Sequence, residues 1–441
     1  MRLAFVIFVY SLLVAAVPAQ AIDIKPVKSR GGITAWLVED HTNPLIALRF
    51  SFKGGSVDDP PGKEGTAHFI SGMLDEGAGD LDSNAFQMKR EELAMRLSFN
   101  DDPDRFGGTL ETLTESRDEA FGLLKLALTK PRFDPLPLER VRSQLLVAAS
   151  ENAEDPERIS SQAWMATALA GHPYARVSEG TTDSLKAITA DDLRTLSRAL
   201  FTRKGLMIAV VGDIDPSTLA RLLDDTFGAL PDTEPLPLPP MTAPRDKPSI
   251  EIIDRDIPQS IITFGHQGIL RDDPQFIPAY VASFILGGGG FGSRLTDEVR
   301  EKRGLTYGVG SGLYPLERAG LVLGELSTRN DRARQALDLV IEVMRRFAKE
   351  GPTPAELADA KTYLTGSYAL RFTSNRRIAE QLLGIQEDGL GIDYVNRRNA
   401  LIEAVTLDQV KEQAGRLTRP DNLIITIVGR PIGIKSTGTQ G

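Results

Sequence analysis

Apolar positions follow the same order in both halves of this chain. Each half opens with a strand-like run, at residues 45–52 and 260–264, and closes with a longer β-rich run, at 206–213 and 423–430. Between these runs the apolar residues recur at helical spacing. Strands at both ends of a helical region are typical of an α+β unit. The repetition therefore predicts that one such unit has been duplicated.

Capping residues in the second half predict where one helix ends and the next begins. Leu337, Val340 and Met344 share one helical face, and Gly351 stands where a C-terminal cap belongs. Residues 353–356, Thr-Pro-Ala-Glu, form a capping box with proline at the first helical position. One helix should therefore end near Gly351, and the next should begin at position 354.

A proline-rich segment at residues 231–248 separates the two units. Proline has no backbone N–H and a fixed φ, so this run is neither helix nor central strand and reads as a semi-rigid linker. The predicted domains are therefore residues 22–230 and 249–434. We expect residues 435–441 to form a disordered tail.

The first 21 residues have the pattern of a secretory signal peptide. Arg2 precedes an apolar run at 3–17, and Ala19-Gln20-Ala21 is a small-x-small cleavage site, which makes Ile22 the first mature residue. The alternative is a membrane anchor, but the run is shorter than the roughly 20 residues that a span requires. The chain contains no cysteine, hence no disulfide framework and no lipid-modified Cys. We expect a periplasmic or secreted protein without a membrane anchor after cleavage.

Composition excludes some classes of partner. Hydrophobic residues make up 41% and charged residues 25% of the chain, as is usual for a globular protein, and the formal net charge is −9. An acidic balance argues against a nucleic-acid partner and gives no reason to expect binding to anionic membranes.

Residues 65–74, Gly-Thr-Ala-His-Phe-Ile-Ser-Gly-Met-Leu, contain a recognisable but incomplete motif. The segment resembles the zinc helix of the pitrilysin/insulinase-type peptidases, which include the mitochondrial processing peptidase. In that family a His-x-x-Glu-His motif places two zinc-binding histidines on one helical face, and the glutamate activates water. A third ligand is a glutamate far downstream.

Only His68 matches the functional groups of this motif. Ser71 stands at the position of the catalytic glutamate and Gly72 at that of the second histidine. Ala149 falls at the third ligand when residues 153–156, Ala-Glu-Asp-Pro, are aligned with the family's acidic stretch. A hydrolytic zinc site requires three protein ligands, so we expect no metal in this chain. His68 would then be an ordinary polar helix residue. A relocated site built from His41, His68, His172 and His266 is the alternative.

The second half carries a more complete motif. The loop glycines Gly287, Gly288, Gly289 and Gly290 precede residues 299–307, Val-Arg-Glu-Lys-Arg-Gly-Leu-Thr-Tyr. This stretch resembles the glycine loop and the Arg/Tyr segment of the same family.

The resemblance assigns Arg300 and Tyr307 to the substrate backbone and the tetrahedral intermediate. Both side chains are hydrogen-bond donors that could stabilise a developing oxyanion. The alternative is that Arg300 forms a surface salt bridge and Tyr307 packs in a core. The glycines also fit G-x-G-x-x-G, but they follow a helical pattern, so the context of a dinucleotide site is missing.

The resemblance implies an α+β fold with two similar domains, each a mostly antiparallel sheet packed on helices. It also implies a zinc-lacking subunit that forms a heterodimer with a homologous zinc-bearing subunit and supplies Arg300 and Tyr307 for cleavage of short or unfolded peptides. The alternative is a peptide-binding or structural scaffold, a use known from relatives in respiratory complexes. A third possibility is an independent hydrolase with a rebuilt site.

Overall fold

The computed structural model of the protein describes residues 22–437. The predicted signal peptide and residues 438–441 of the predicted tail lie outside the described residues. Residues 435–437 of that tail are described, and the backbone N–H of Thr437 donates to the carbonyl oxygen of Ile250 at 3.0 Å. Within residues 22–437, every helix is too short or too polar to cross a bilayer.

The first half is built on a six-stranded sheet with the order β1-β2-β6-β3-β5-β4. The β2–β6 pair is parallel, and the other neighbours are antiparallel. The strands are β1 Lys25–Lys28, β2 Thr34–Glu39, β3 Leu45–Lys53, β4 Arg96–Asp101, β5 Arg105–Leu113 and β6 Met207–Gly212. The helices of this half are α1 Thr66–Ser71, α2 Ser83–Glu92, α3 Arg117–Thr129, α4 Pro135–Glu154, α5 Pro156–Ala168, α6 Thr182–Ala187, α7 Ala190–Leu200 and α8 Pro216–Phe227.

The second half repeats this arrangement on a five-stranded sheet with the order β7-β11-β8-β10-β9. Its strands are β7 Ser249–Ile253, β8 Gln259–Gln267, β9 Gly308–Pro315, β10 Gly320–Arg329 and β11 Ile424–Val428. Only the β7–β11 pair is parallel, at the position equivalent to β2–β6. The two sheets thus share their order and orientation, and the predicted α+β fold with two similar, mostly antiparallel units is confirmed.

The helices of the second half lie between β8 and β11, as the periodicity predicted. They are α9 Phe276–Ser283, α10 Ala333–Glu350, α11 Pro354–Gly366, α12 Asn375–Glu387, α13 Tyr394–Glu403 and α14 Leu407–Leu417. Gly351 ends α10 with a φ of 69°, a conformation that favours glycine. The Thr353 side chain accepts a hydrogen bond from the N–H of Glu356, which confirms the capping box.

Strand β6 is buried on both faces. Its side chains point alternately to the two faces of the sheet, and each face contributes to a different hydrophobic core. Ile208 and Val210 join the core of the first half, whereas Ala209 and Val211 pack against α12 of the second half. The amide of Gln386 in α12 also donates to the carbonyl oxygen of Ile208 at 3.1 Å. A helix from the second half therefore covers the first sheet.

The reverse contact is made by α5 of the first half, which packs on β8 and β11 of the second sheet. Trp164 of α5 is fully buried and joins a core that contains Ile424. The Ser160 hydroxyl lies 2.8 Å from the Thr263 hydroxyl. The two halves therefore exchange one covering helix each, which joins them through apolar cores as well as the linker.

The segment 231–248 contains neither helix nor strand, and its backbone is attached to both halves. Arg245 donates its N–H to the carbonyl oxygen of Ala168 at 3.0 Å, and Thr242 donates to that of Arg318 at 2.9 Å. A ring nitrogen of His172 lies 3.0 Å from the carbonyl oxygen of Pro240.

Candidate functional site

The helix that carries the incomplete motif is short, and a buried aspartate caps its N-terminus. Helix α1 begins after Gly65, whose φ is 91°. One carboxylate oxygen of Asp59 accepts the N–H of Gly65 at 2.7 Å, and the other accepts that of Ala67 at 2.8 Å. Asp59 is only 3% exposed, and burial raises its pKa to about 7. Asp59 is thus a structural cap for this helix.

His68 is engaged by an aspartate at the end of strand β4. Its Nδ1 lies 3.0 Å from the Asp101 carboxylate, and this contact raises the pKa of His68. The hydroxyl of Ser71 donates back to the carbonyl oxygen of His68 at 2.8 Å, so it is satisfied within its own helix. His68 therefore has the partner of an ordinary polar helix residue.

Gly72 ends α1 where it meets α4. A Cβ atom at this position would lie 3.3 Å from Cγ1 of Val141, so a larger side chain would have to displace that methyl group. Ala149 lies about two helical turns further along α4, where its methyl side chain is half-buried against the first core. Glu151 is exposed. Gly72 and Ala149 thus place no metal donor beside α1.

The zinc of the related peptidases does not fit these residues, because one imidazole, a helix-bound hydroxyl, a glycine and a methyl group cannot supply three ligands. Among residues 22–437, no three His, Cys, Asp or Glu side chains are grouped as metal ligands. The four histidines lie apart with separate partners: His41 with Asp213, His68 with Asp101, His172 with Pro240 and His266 with Gln267.

The glycine segment of the second half is wound into helical turns. Residues Phe284–Gly288 form a π-helical turn that continues α9, and Gly290–Gly292 form a 3-10 turn. A Cβ at Gly287 would lie 2.3 Å from the Ser311 hydroxyl, so this glycine permits close packing on β9. Gly290 has a φ of 56° and open space at its Cβ position. The predicted loop is therefore closely packed at its start and open only further along.

Arg300 and Tyr307 flank a tight turn before β9. Arg300 lies in a second π-helical segment, Thr296–Glu301, and its side chain is partly exposed. The N–H of Gly304 donates to the carbonyl oxygen of Arg300 at 2.8 Å, which closes the turn. Tyr307 is 83% exposed, although its neighbour Thr306 is anchored by its hydroxyl to the carbonyl oxygens of Gly308 and Ser327. Tyr307 therefore projects from a firmly held backbone and is not packed in a core.

Sequence reasoning missed a buried polar cluster between the halves. The Tyr174 hydroxyl donates to Asp104 at 2.5 Å and accepts the N–H of Arg318 at 3.1 Å, while Asp104 accepts the N–H of Glu317 at 3.0 Å. Burial, together with the neighbouring carboxylate of Asp104, raises the pKa of Tyr174. The partners of Tyr174 lie 70 and 144 residues away in the sequence, so no local pattern indicates the cluster.

Comparison with known proteins accounts for the duplicated fold. Residues 35–182 match the family model described as insulinase (peptidase family M16), and residues 187–364 match the model described as peptidase M16 inactive domain. A crystal structure of a peptidase M16 inactive domain from Pseudomonas fluorescens is 31% identical, with a TM-score of 0.87, over 94% of this chain and 99% of that chain. The chain belongs to the M16 peptidase family. The family recognised from the two motifs is therefore confirmed.

Two proteins of Helicobacter pylori are also similar to this chain. The "non-peptidase homolog YmxG" of Helicobacter pylori is 29% identical over 345 residues, which is 78% of this chain and 79% of that protein. A crystal structure of a protease from Helicobacter pylori has a TM-score of 0.83 at 16% identity, covering 92% of this chain and 99% of that chain, and shows the shared fold alone.

Proposed function

We propose that this M16 homologue is the non-catalytic subunit of a heterodimeric zinc peptidase and that it presents Arg300 and Tyr307 to a zinc-bearing M16 partner. The observation that carries the proposal is the contrast between its two motifs. The first half lacks two of the three zinc ligands and the water-activating glutamate, whereas the second half keeps the Arg/Tyr segment with Tyr307 exposed. A chain that served only as a scaffold would have no use for that pair.

The proposed chemistry is hydrogen-bond donation to a scissile carbonyl group. When a peptide bond is attacked, its carbonyl oxygen gains negative charge. A guanidinium and a phenol held beside that oxygen stabilise it more strongly in the transition state than in the substrate. Tyr307 donates one O–H and Arg300 donates from a charged group. The partner supplies the metal and the attacking water.

The substrates we propose are short or unfolded peptides, because a chamber closed between two subunits excludes folded proteins. The periplasm or the extracellular space is the proposed compartment, in keeping with the signal-peptide pattern at residues 1–21. The acidic chain would need neither a nucleic acid nor a membrane for this role.

The test is to purify the tagged chain from its native cells and assay it with a quenched fluorescent peptide. The mature chain alone should be inert, and the copurified complex should show chelator-sensitive cleavage. In the complex, Arg300→Ala and Tyr307→Phe should each lower kcat by about 100-fold, as loss of one oxyanion donor does. Unchanged kinetics would remove the assigned role.

Arg345→Ala is a matched control, since Arg345 is an exposed arginine of α10 whose partner is Asp421. It should leave cleavage by the complex unchanged. All variants must also copurify with the partner to the same extent, because a loss of activity through loss of assembly would not support a role in the reaction.

The second candidate is a peptide-binding or structural protein with no peptidase partner. The similarity to a Helicobacter pylori protein described as a non-peptidase homolog favours it. This candidate predicts that nothing with an intact His-x-x-Glu-His motif copurifies and that the complex is inert. Cleavage by the lone chain would contradict both candidates.

A further inference from the structure

A cavity in the second half lies among the described residues, and Gly288 of the glycine segment forms part of its lining. It has a volume of about 730 Å³, which is within the usual range for small-molecule sites. Helices α9, α11, α12 and α13 form its walls together with strand β9. Six aromatic side chains line it: Phe276, Tyr280, Phe284, Tyr363, Tyr368 and Tyr394.

A buried arginine with no acidic partner also lines this cavity. Arg398 of α13 is only 6% exposed, and within residues 22–437 it forms no ion pair. Its Nη1 donates to the carbonyl oxygen of Leu364 at 3.0 Å and to the side-chain oxygen of Asn399 at 3.3 Å. Its Nε and Nη2 donate to no described residue. A buried guanidinium with donors left over is costly unless an anion meets it.

The ring of Tyr368 holds this guanidinium in place. The Arg398 Cζ lies 4.3 Å from the centre of the ring, a cation–π contact that fixes the plane of the donors. The cavity wall thus presents the oriented guanidinium of Arg398 beside several aromatic rings.

The carboxylates on the cavity wall do not neutralise Arg398. Asp388 is paired with Arg271 at 2.7 Å, and Glu380 lies 3.7 Å from Arg49 of the first half. Burial raises the pKa of Glu387, and this carboxyl group forms no ion pair with Arg398. Arg371 also lines the cavity, is exposed and forms no ion pair with the described residues. Arg398 and Arg371 are therefore both left without a carboxylate partner among the described residues.

We propose that this cavity binds an organic carboxylate that carries an aromatic or aliphatic group. Arg398 holds the carboxylate through its remaining donors, and the phenylalanine and tyrosine rings enclose the apolar part. Two sources share this chemistry, the C-terminal carboxylate of a peptide and a free fatty or aryl acid. The inference does not depend on the proposed subunit role, because the site lies within one chain.

The test uses the purified mature chain and isothermal titration calorimetry. The probes are N-acetyl-L-phenylalanine, its C-terminal amide and octanoate. At least one of the two acids should bind with a Kd below about 100 µM. The amide should bind at least about tenfold more weakly than the acid, because it offers no charge to Arg398. Binding by the amino-acid derivative over octanoate identifies a peptide terminus as the source, and the reverse identifies a free fatty acid.

Arg398→Met should weaken binding of the acid at least about tenfold, while the control Arg345→Met should not change it. Should Arg398→Met fail to fold, Arg371→Met and Tyr363→Ala replace it. Both residues are exposed, and each change should weaken binding about threefold or more. The proposal is overturned when neither acid binds, when acid and amide bind equally, or when the folded cavity variants bind as the wild type does.

Discussion

The indole Nε1–H of Trp164 donates a hydrogen bond of 2.8 Å to the carbonyl oxygen of Ile424 in the opposite half of the chain. Trp164 belongs to α5, which covers the second sheet, and the bond is fully buried. Helix α12 makes the reverse contact through Gln386 and Ile208. Because each sheet is covered by a helix of the other half, we expect the two halves to unfold together.

Trp164→Phe tests this coupling. The substitution removes the buried donor and some ring volume, so it should lower the free energy of unfolding by about 1–3 kcal/mol. Urea denaturation followed by circular dichroism measures the loss. The control is Trp36→Phe at the other tryptophan, which is only half-buried and should cost less. Two separated transitions in the wild-type protein would contradict the coupling.

The close approach of Gly287 to β9 predicts a second effect on stability. A methyl group at this position would meet Ser311 backbone and side-chain atoms, so Gly287→Ala should destabilise the protein by about 1–3 kcal/mol. Gly292→Ala is the matched control, since no atom lies within 4 Å of its Cβ position. Thermal melting of the two variants compares them directly. Equal melting temperatures would show that the π-helical turn at Gly287 accommodates the methyl group without loss of stability.

The residues around α1 predict that a metal chelator does not change the stability of the protein. The purified mature chain should contain less than stoichiometric zinc by elemental analysis, and a chelator should leave its melting temperature unchanged, because His68 alone cannot hold the ion. His68→Ala should give the same result. Stoichiometric zinc that disappears in His68→Ala would show that a rebuilt site exists.

Asp59 predicts a pH dependence of stability. Burial raises its pKa in the folded protein from 3.8 to about 7, so between these values the folded state binds a proton that the unfolded state has released. The stabilisation is therefore complete below the unfolded pKa and is lost as the pH rises through about 7, by an amount on the order of a few kcal/mol. Asp59→Asn should flatten the fall in melting temperature between about pH 5 and about pH 7.

Asp215→Asn is the control for this measurement. Asp215 also caps a helix, but it is exposed, and hydrogen bonds from Ser217 and Thr218 hold its pKa below the usual range. It is ionised in both states over the same window, so its replacement should shift stability equally at each pH. If the melting temperature of Asp59→Asn falls with pH as steeply as that of the wild type, the assigned pKa is wrong.

The repetition of apolar runs was sufficient to predict the duplicated α+β unit. Strands β3, β6, β8 and β11 overlap the predicted runs, and α11 begins at Pro354 as its capping box required. These features are local, since strand alternation and helix capping depend on neighbours within a few residues. The loss of the catalytic glutamate at position 71 and of the second histidine at position 72 was also visible from residue types, without reference to the fold.

The tertiary structure alone decided which surfaces meet. Positions 209 and 211 are apolar in the sequence, but only the packing shows that they face a helix of the other half. Contacts between residues far apart in the chain made Tyr174 and Asp104 partners and left Arg398 without an acidic partner. Local patterns specify the elements because their interactions are short in sequence. Long-range burial specifies the cavities and interfaces, because it depends on which faces the folded chain brings together.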